Sequence, residues 1–325
     1  MEIVNIVFSS DDNYAQLMGV AICSIFENKK NNYSIYIYVL DGGISQKNIN
    51  RLNKLEKKYT FKINYIKIDT SFFKNFYTRE VYSQAAYYRI MIPRLLPYIK
   101  KILYLDCDII VLNDIYELYN TDISNYLFAA VEDLYLDKMR HKELNIPIKE
   151  KYFNSGVLLI NIDKCKEINA PETILNFVND YPEKLEYADQ DAFNATMWGN
   201  FLCLDKKYNF LSLLSESSNL NEFIKINDIK IIHYVGEKPW NYFYKNIFNI
   251  KYFYYLKKTP WKNLKYKNRT IKNILTKYNN LYSGRKQIFL MNLLSYFEKK
   301  LSIILSGKNI NNIKRIKRKL KIKFY

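Results

Sequence analysis

Two carboxylates stand between apolar runs in Tyr104-Leu105-Asp106-Cys107-Asp108-Ile109-Ile110-Val111-Leu112. Charge that close to a core strand is costly unless something neutralises it. A divalent cation would do so, because hard oxygen donors bind Mg²⁺ or Mn²⁺ and such a cation keeps positions open for substrate phosphates. A bare Asp-x-Asp is more often an exposed turn, so the meaning of the pair depends on its companions. The strongest companion is His233-Tyr234-Val235-Gly236-Glu237-Lys238-Pro239-Trp240. A metal beside a diphosphate suits one imidazole with two carboxylates, and an ammonium on the phosphates. His233 and Lys238 offer both. A lone core or surface histidine is the competing reading in a chain that has only two.

Four other segments carry candidate groups, each with a structural explanation beside the functional one. Ser9-Ser10-Asp11-Asp12-Asn13-Tyr14 is a polar loop leaving a strand, where Asp11 and Asn13 can bind a ribose or a base. Asp12 there equally suits the N-terminus of the following helix. Arg89, in the apolar Ala85-Ala86-Tyr87-Tyr88-Arg89-Ile90, either snorkels, pairs with an acid, or braces a carboxylate or phosphate in a crevice. Phe153-Asn154-Ser155-Gly156-Val157 reads as a turn running into a core strand, with Gly156 permitting close backbone approach and Asn154 able to bind a sugar hydroxyl. Asp189-Gln190-Asp191 opens a helix, where the macrodipole alone favours carboxylates. Asp189 and Gln190 can also face a substrate from that position.

These residues need a frame, and the hydrophobic pattern supplies one. Strands are expected over Ile3–Phe8, Tyr33–Leu40, Phe61–Ile68 and Lys101–Leu105, with helices over Tyr14–Glu27, Gln46–Tyr59 and Ser83–Met91. Such βαβαβ order implies a mostly parallel sheet with helices on both faces. Ligands of such sheets collect beyond the carboxyl ends of strands, so the Asp11 and Asp106 loops are expected to face one crevice. Further strands are expected over Ile109–Leu112, Leu127–Val131, Val157–Asn161 and Ile229–Tyr234, and helices over Pro171–Asn179 and Gln190–Trp198.

The net charge of +18 is unevenly spread. Residues 1–240 carry 28 Lys/Arg against 31 Asp/Glu, whereas residues 241–325 carry 22 Lys/Arg and one acid, Glu298. A near-neutral body with a basic tail points to a polyanionic partner, nucleic acid or an anionic membrane. In the last segment Ile310, Ile313, Ile316 and Leu320 form one helical stripe among Lys and Arg, the pattern of a helix lying on anionic lipid. Gln287–Leu305 is apolar but interrupted by Glu298-Lys299-Lys300, too broken for a span of ~20 largely uncharged residues. An interfacial helix is expected there. The four cysteines have no metal-like spacing, and the N-terminus lacks the basic start of an export signal. A cytoplasmic protein with reduced thiols is expected.

In order along residues 1–265, Ser10 to Tyr14, Tyr88-Arg89, Leu105 to Asp108, Phe153 to Val157, Asp189 to Asp191 and His233 to Trp240 resemble the motifs of glycosyltransferase family 8, the retaining nucleotide-sugar transferases. The likeness is strongest to bacterial lipopolysaccharide and lipooligosaccharide α-galactosyltransferases. It implies an α/β, GT-A type nucleotide-sugar-binding fold over 1–265, with a mostly parallel mixed sheet flanked by helices, and a basic helical extension over 266–325 on the inner face of the cytoplasmic membrane. By that resemblance Asp106, Asp108 and His233 ligate Mn²⁺, with Mg²⁺ as the substitute, bridging the diphosphate of UDP-galactose or UDP-glucose. Ser9 backbone, Asp11 and Asn13 hold uridine, and Cys107 lines the donor site. Arg89, Asn154, Ser155, Asp189 and Gln190 contact the donor sugar, with Gln190 and Asp189 as the catalytic candidates, while Gly236 and Lys238 close on the phosphates. Only Glu237 separates Gly236 from Lys238, where the family usually has two residues. The implied acceptor is a saccharide or lipid-linked saccharide, with no nucleic acid. The competing readings are a haloacid-dehalogenase-type phosphatase using Asp106 and Asp108, and a nucleic-acid binder using the tail.

Overall fold

The computed structural model describes residues 2–78, 83–136, 138–213, 226–236, 238–240 and 248–263. The basic tail over 266–325, with its two expected interfacial helices, lies outside the described residues.

A seven-stranded mixed sheet forms the centre, in the order β3-β2-β1-β4-β7-β6-β8. Its strands are β1 (Ile3–Ser10), β2 (Ser34–Asp41), β3 (Lys62–Lys67), β4 (Lys101–Leu105), β6 (Phe128–Glu132), β7 (Phe153–Asn161) and β8 (Phe201–Leu204). β1 runs parallel to both β2 and β4, β2 parallel to β3, and β6 parallel to β8. β7 is antiparallel to both neighbours. A second sheet of three short strands joins β5 (Ile109–Val111), β10 (Ile231–His233) and β9 (Phe210–Leu211).

Side chains alternate across a strand, and both faces of the large sheet are covered. Val4, Ile6 and Phe8 of β1 and Leu103 and Leu105 of β4 pack in one core with α1 (Ala15–Asn28) and α2 (Gln46–Tyr59). Val7 of β1 and Ile102 and Tyr104 of β4 pack in the other, with α3 (Ala170–Asp180) and α4 (Asp189–Met197). Continuous apolar runs such as Ile-Leu-Tyr-Leu in β4 are what a strand buried on both faces requires. The Ser45 side chain caps α2 by accepting from Asn48 N–H.

Four local expectations need correction. Ser83–Met91 is a 3₁₀ helix over Gln84–Met91 rather than an α-helix; Pro93 follows, and the chain turns into a short helix at Ile92. Phe153 to Gly156 is strand, not turn: Phe153 and Asn154 pair with Glu132 and Val131 of β6, and the Gly156 carbonyl accepts from Asp106 N–H just past the end of β4. The strand expected over Ile109–Leu112 leaves the main sheet, as does the shortened Ile231–His233, and the two pair antiparallel with each other. Asp12 does not cap α1. Its carboxylate accepts instead from Ser45 N–H at 2.8 Å and Asn48 Nδ2 at 2.7 Å, fastening the loop to the start of α2.

Candidate functional site

Asp106, Cys107 and Asp108 are the crossing from one sheet to the other, since β4 ends at Leu105 and β5 begins at Ile109. The crossing is stitched on both sides. Asp106 N–H donates to the Gly156 carbonyl at 2.8 Å, and Tyr234 N–H donates to the Asp108 carbonyl at 2.9 Å. The Cys107 thiol donates to the Ser9 carbonyl at 3.1 Å, tying the ends of β1 and β4 together. The antiparallel pairing of Ile109 with His233 then delivers the imidazole beside the two carboxylates.

His233 Nε2 lies 3.6 Å from Asp106 Oδ2 and 3.3 Å from Asp108 Oδ1. One donor atom from each of the three residues falls within 4.8 Å of the others. Two carboxylates and an imidazole converging from separate elements fit a divalent cation of the Mn²⁺ or Mg²⁺ kind. Gly156 makes the convergence possible. A Cβ there would meet His233 Cε1 at 2.2 Å and Asp106 Oδ2 at 2.8 Å, so only hydrogen fits. The pairing of β6 with β7 jumps from Ala130↔Leu158 to Val131↔Asn154, which leaves Ser155, Gly156 and Val157 unopposed on that side. Such irregularities re-aim a strand beside a site.

Arg89 joins this cluster to α4. Its guanidinium reaches Asp106 Oδ1 at 3.1 Å through Nη2 and Asp189 Oδ2 at 3.0 Å through Nε. It also donates to the Ser155 carbonyl at 2.6 Å and lies 4.5 Å over the Tyr104 ring. The sequence left open whether this arginine snorkels, pairs or braces; it braces two carboxylates, and it is buried. Tyr104 OH adds a bond to Asp106 Oδ1 at 2.7 Å. Strand alternation puts Tyr104 and Asp106 on one side and Leu105 and Cys107 on the other.

The electrostatics follow from burial and sharing. Burial pushes Asp189 up to about 7; the Arg89 guanidinium opposes this only partly, because Asp106 shares it and adds its own negative charge. Burial would raise Asp108 as well, but Lys238 and His233 outweigh it and hold that carboxyl well below the usual range. Lys238 Nζ sits on Asp108 Oδ2 and also donates to the Tyr234 carbonyl at 2.9 Å. Gly236 takes φ +75°, a left-handed conformation suited to glycine, in the loop between His233 and Lys238.

Asn154, Ser155 and Gln190 form a second layer. Ser155 N–H donates to Gln190 Oε1 at 3.1 Å, and Gln190 Nε2 donates to Asp133 Oδ2 at 3.1 Å. Asn154 Nδ2 donates to the same Asp133 oxygen at 3.1 Å. Asn209, buried, accepts at Oδ1 opposite His233 Nδ1 at 3.0 Å and donates to Asn154 Oδ1 at 2.8 Å. Sequence reasoning missed Asp133, Asn209 and Tyr104. The one available signal was a polar residue inside an apolar run, Tyr208-Asn209-Phe210-Leu211.

The first loop is less closely joined. Asp11 Oδ1 accepts from Asn13 N–H at 2.9 Å and Tyr14 N–H at 3.1 Å, while Oδ2 accepts from Ser83 Oγ at 3.0 Å. Asn13 is exposed, and no bond among the described residues links it or Asp11 to the three-residue cluster. Ser9 Oγ is buried with no hydrogen-bond partner among the described residues. Asp191 does not face the cluster at all. It pairs with Arg140 and accepts from Tyr152 OH at 2.7 Å.

A sequence model described as glycosyl transferase family 8 matches residues 5–243. General stress protein A of Bacillus subtilis is 36% identical over 273 residues, covering 80% of this chain and 95% of its own length. A lipopolysaccharide 1,2-glucosyltransferase of Escherichia coli K12 is 30% identical over 277 residues, 80% of either chain. Among solved structures, the galactosyltransferase LgtC, crystallised with donor and acceptor sugar analogues, superimposes with a TM-score of 0.71 at 25% identity. That match covers 79% of this chain and 96% of LgtC.

Proposed function

The chain belongs to glycosyltransferase family 8, and from that premise we propose that it moves galactose or glucose from a UDP-sugar to a saccharide acceptor, with retention at the anomeric carbon and with Mn²⁺ bound. The observation that carries the reading is the convergence of Asp106, Asp108 and His233 at the carboxyl end of β4. Its mixed sheet flanked by helices is the GT-A type fold. Similarity to a lipopolysaccharide 1,2-glucosyltransferase and to LgtC supports a lipopolysaccharide or lipooligosaccharide core as the acceptor.

Each group has a task in this reading. Held by Asp106, Asp108 and His233, Mn²⁺ would supply Lewis-acid stabilisation of the leaving diphosphate. Lys238, resting on Asp108, is the ammonium that adds counter-charge to the same phosphates. Ser9 backbone, Asp11 and Asn13 receive uridine at the end of β1, and Cys107 holds that end against Asp106. Arg89 keeps Asp106 and Asp189 in place beside the sugar, with Asn154 and Ser155 from β7. Bond breaking gives the sugar oxocarbenium character. The Gln190 oxygen is turned toward Ser155 N–H, away from a nucleophile's role, which favours same-face attack by the acceptor hydroxyl over double displacement. The basic tail then seats the enzyme on the inner face of the cytoplasmic membrane, where a lipid-linked acceptor is presented.

The test is UDP release from a panel of UDP-sugars with Mn²⁺, with and without a truncated lipopolysaccharide core. Turnover of UDP-galactose or UDP-glucose that the acceptor stimulates is expected; absence of binding and turnover for every donor defeats the reading. Asp106→Asn and Asp108→Asn should each lower turnover about a thousandfold with the melting transition retained. That corresponds to losing about 4 kcal/mol of metal-supplied stabilisation.

A further inference from the structure

We propose that Asn209 and Asp133 are positioning residues for the metal centre, setting His233 with its proton on Nδ1 and its lone pair on Nε2. The direction of each bond follows from groups that have only one role. A backbone N–H only donates, so the Asn154 atom 3.0 Å from Gly156 N is its oxygen. A carboxylate accepts, so the Asn154 NH₂ is the end that faces Asp133 Oδ2. With Asn154 pinned at both ends, the Asn209 atom beside Asn154 Oδ1 is its NH₂. The Asn209 oxygen is then the atom left opposite His233 Nδ1, and an oxygen there accepts. His233 therefore donates through Nδ1 whether or not Nε2 also carries a proton toward Asp106 and Asp108, and Nε2 is the atom left to a cation between those carboxylates.

Among the described residues the hydrogen bonds of Asp133, Asn154 and Asn209 agree on this order, and Asp106 and Asp108 lie at Nε2, leaving Nδ1 to Asn209. Asp133, Asn154, Asn209 and His233 are all buried, so water offers little alternative pairing. Asp133 is itself held on both oxygens: Oδ2 also accepts from Gln190, and Oδ1 accepts from Tyr135 N–H at 3.0 Å. The imidazole atom that a metal would use is thus chosen three residues away, at a carboxylate that does not touch His233. Partners of this kind fix ring orientation and ligand basicity. The metal half of the inference rests on the proposed reading of Asp106, Asp108 and His233 as ligands; the tautomer half does not.

Long-range ¹H–¹⁵N spectra of histidine-labelled, metal-free, full-length protein read the tautomer directly. His141, the other of the two histidines, is the internal reference. Its Nε2 lies 3.1 Å from the Glu150 carbonyl, an acceptor, so its proton is on Nε2. Wild-type protein should show the two rings in opposite tautomers. Asn209→Leu and Asp133→Leu should each release His233 from the Nδ1–H form, leave His141 unchanged, and weaken Mn²⁺ binding about 10- to 100-fold, measured from the EPR signal of free Mn²⁺. Asn209→Asp, which keeps an oxygen opposite Nδ1, should retain the Nδ1–H form. A wild-type His233 in the Nε2–H form overturns the proposal before any variant is made, so a variant that fails to fold does not shield it. It is equally overturned if Asn209→Leu keeps both the Nδ1–H form and wild-type Mn²⁺ affinity. Wild-type protein that binds no Mn²⁺ defeats the ligand reading while the spectra still decide the tautomer.

Discussion

Gly156 bears the tightest steric requirement in the site, since any side chain there must displace His233 or Asp106. Gly156→Ala should therefore cost about 1–3 kcal/mol, as overpacking does, and should weaken Mn²⁺ binding as well. Denaturant melts with a Mn²⁺ titration check this; an alanine variant with unchanged metal affinity would show that His233 has room to yield. Asp189 makes a pH prediction. Its carboxyl keeps a proton up to about 7 in the folded chain, chiefly through burial, against ~4 when unfolded. The folded state binds that proton more tightly, so the stabilisation is complete below ~4 and is lost as pH rises through about 7. Thermal melts between about pH 5 and 8 should thus fall more steeply for wild type than for Asp189→Asn, whose side chain does not titrate. Parallel melting curves would mean that Arg89 neutralises Asp189 throughout.

At the scale of elements, the site depends on how α4 begins. Ala188 takes φ +50°, ψ −127° immediately before Asp189, and Gln190 N–H closes the turn on the Tyr187 carbonyl at 3.1 Å. A β-branched residue is strongly disfavoured at positive φ. Ala188→Val should therefore cost roughly 1–3 kcal/mol and lower turnover by unseating Asp189 and Gln190 together. Equal stability of the two proteins in urea would show that the turn relaxes. The start of a helix near residue 190 was readable from its apolar spacing, whereas the turn was not, because nothing local marks an alanine as left-handed. The same holds for β7. Its apolar run from Val157 announced a strand, but the extension back to Phe153 exists only because β6 lies alongside and Asp106 N–H meets the Gly156 carbonyl.

Across the whole molecule, family membership decides against a phosphatase for the Asp106 and Asp108 pair, and the last described residues are knit back onto the first helices. Trp261 is buried against Gly19 of α1. Glu27 gathers Lys58 at 3.4 Å, Tyr59 OH at 2.6 Å and Lys258, so α1, α2 and the segment after α5 (Asn249–Leu256) are joined. A chain ending after Asn263 keeps these contacts. It should retain UDP-sugar turnover on a soluble acceptor while losing salt-sensitive binding to anionic vesicles, followed by co-sedimentation. Retention of the full chain on RNA but not on vesicles would assign the tail to nucleic acid instead. No described helix is long and apolar enough to cross a membrane.

Spacing and hydropathy are local properties, and they were enough to place β1 to β4, α1 and α2, and to single out Asp106, Asp108, His233 and Lys238, which the fold brings together. Burial costs made the paired aspartates conspicuous before any fold was known. What the sequence could not contain is the second sheet, because pairing of β5 with β10 joins residues more than a hundred positions apart. That pairing alone brings the imidazole to the carboxylates. Nor could it show that Arg89 spans two acids, or that Asn209 and Asp133 orient the ring, since a buried amide acquires its role only from the neighbours that tertiary folding supplies.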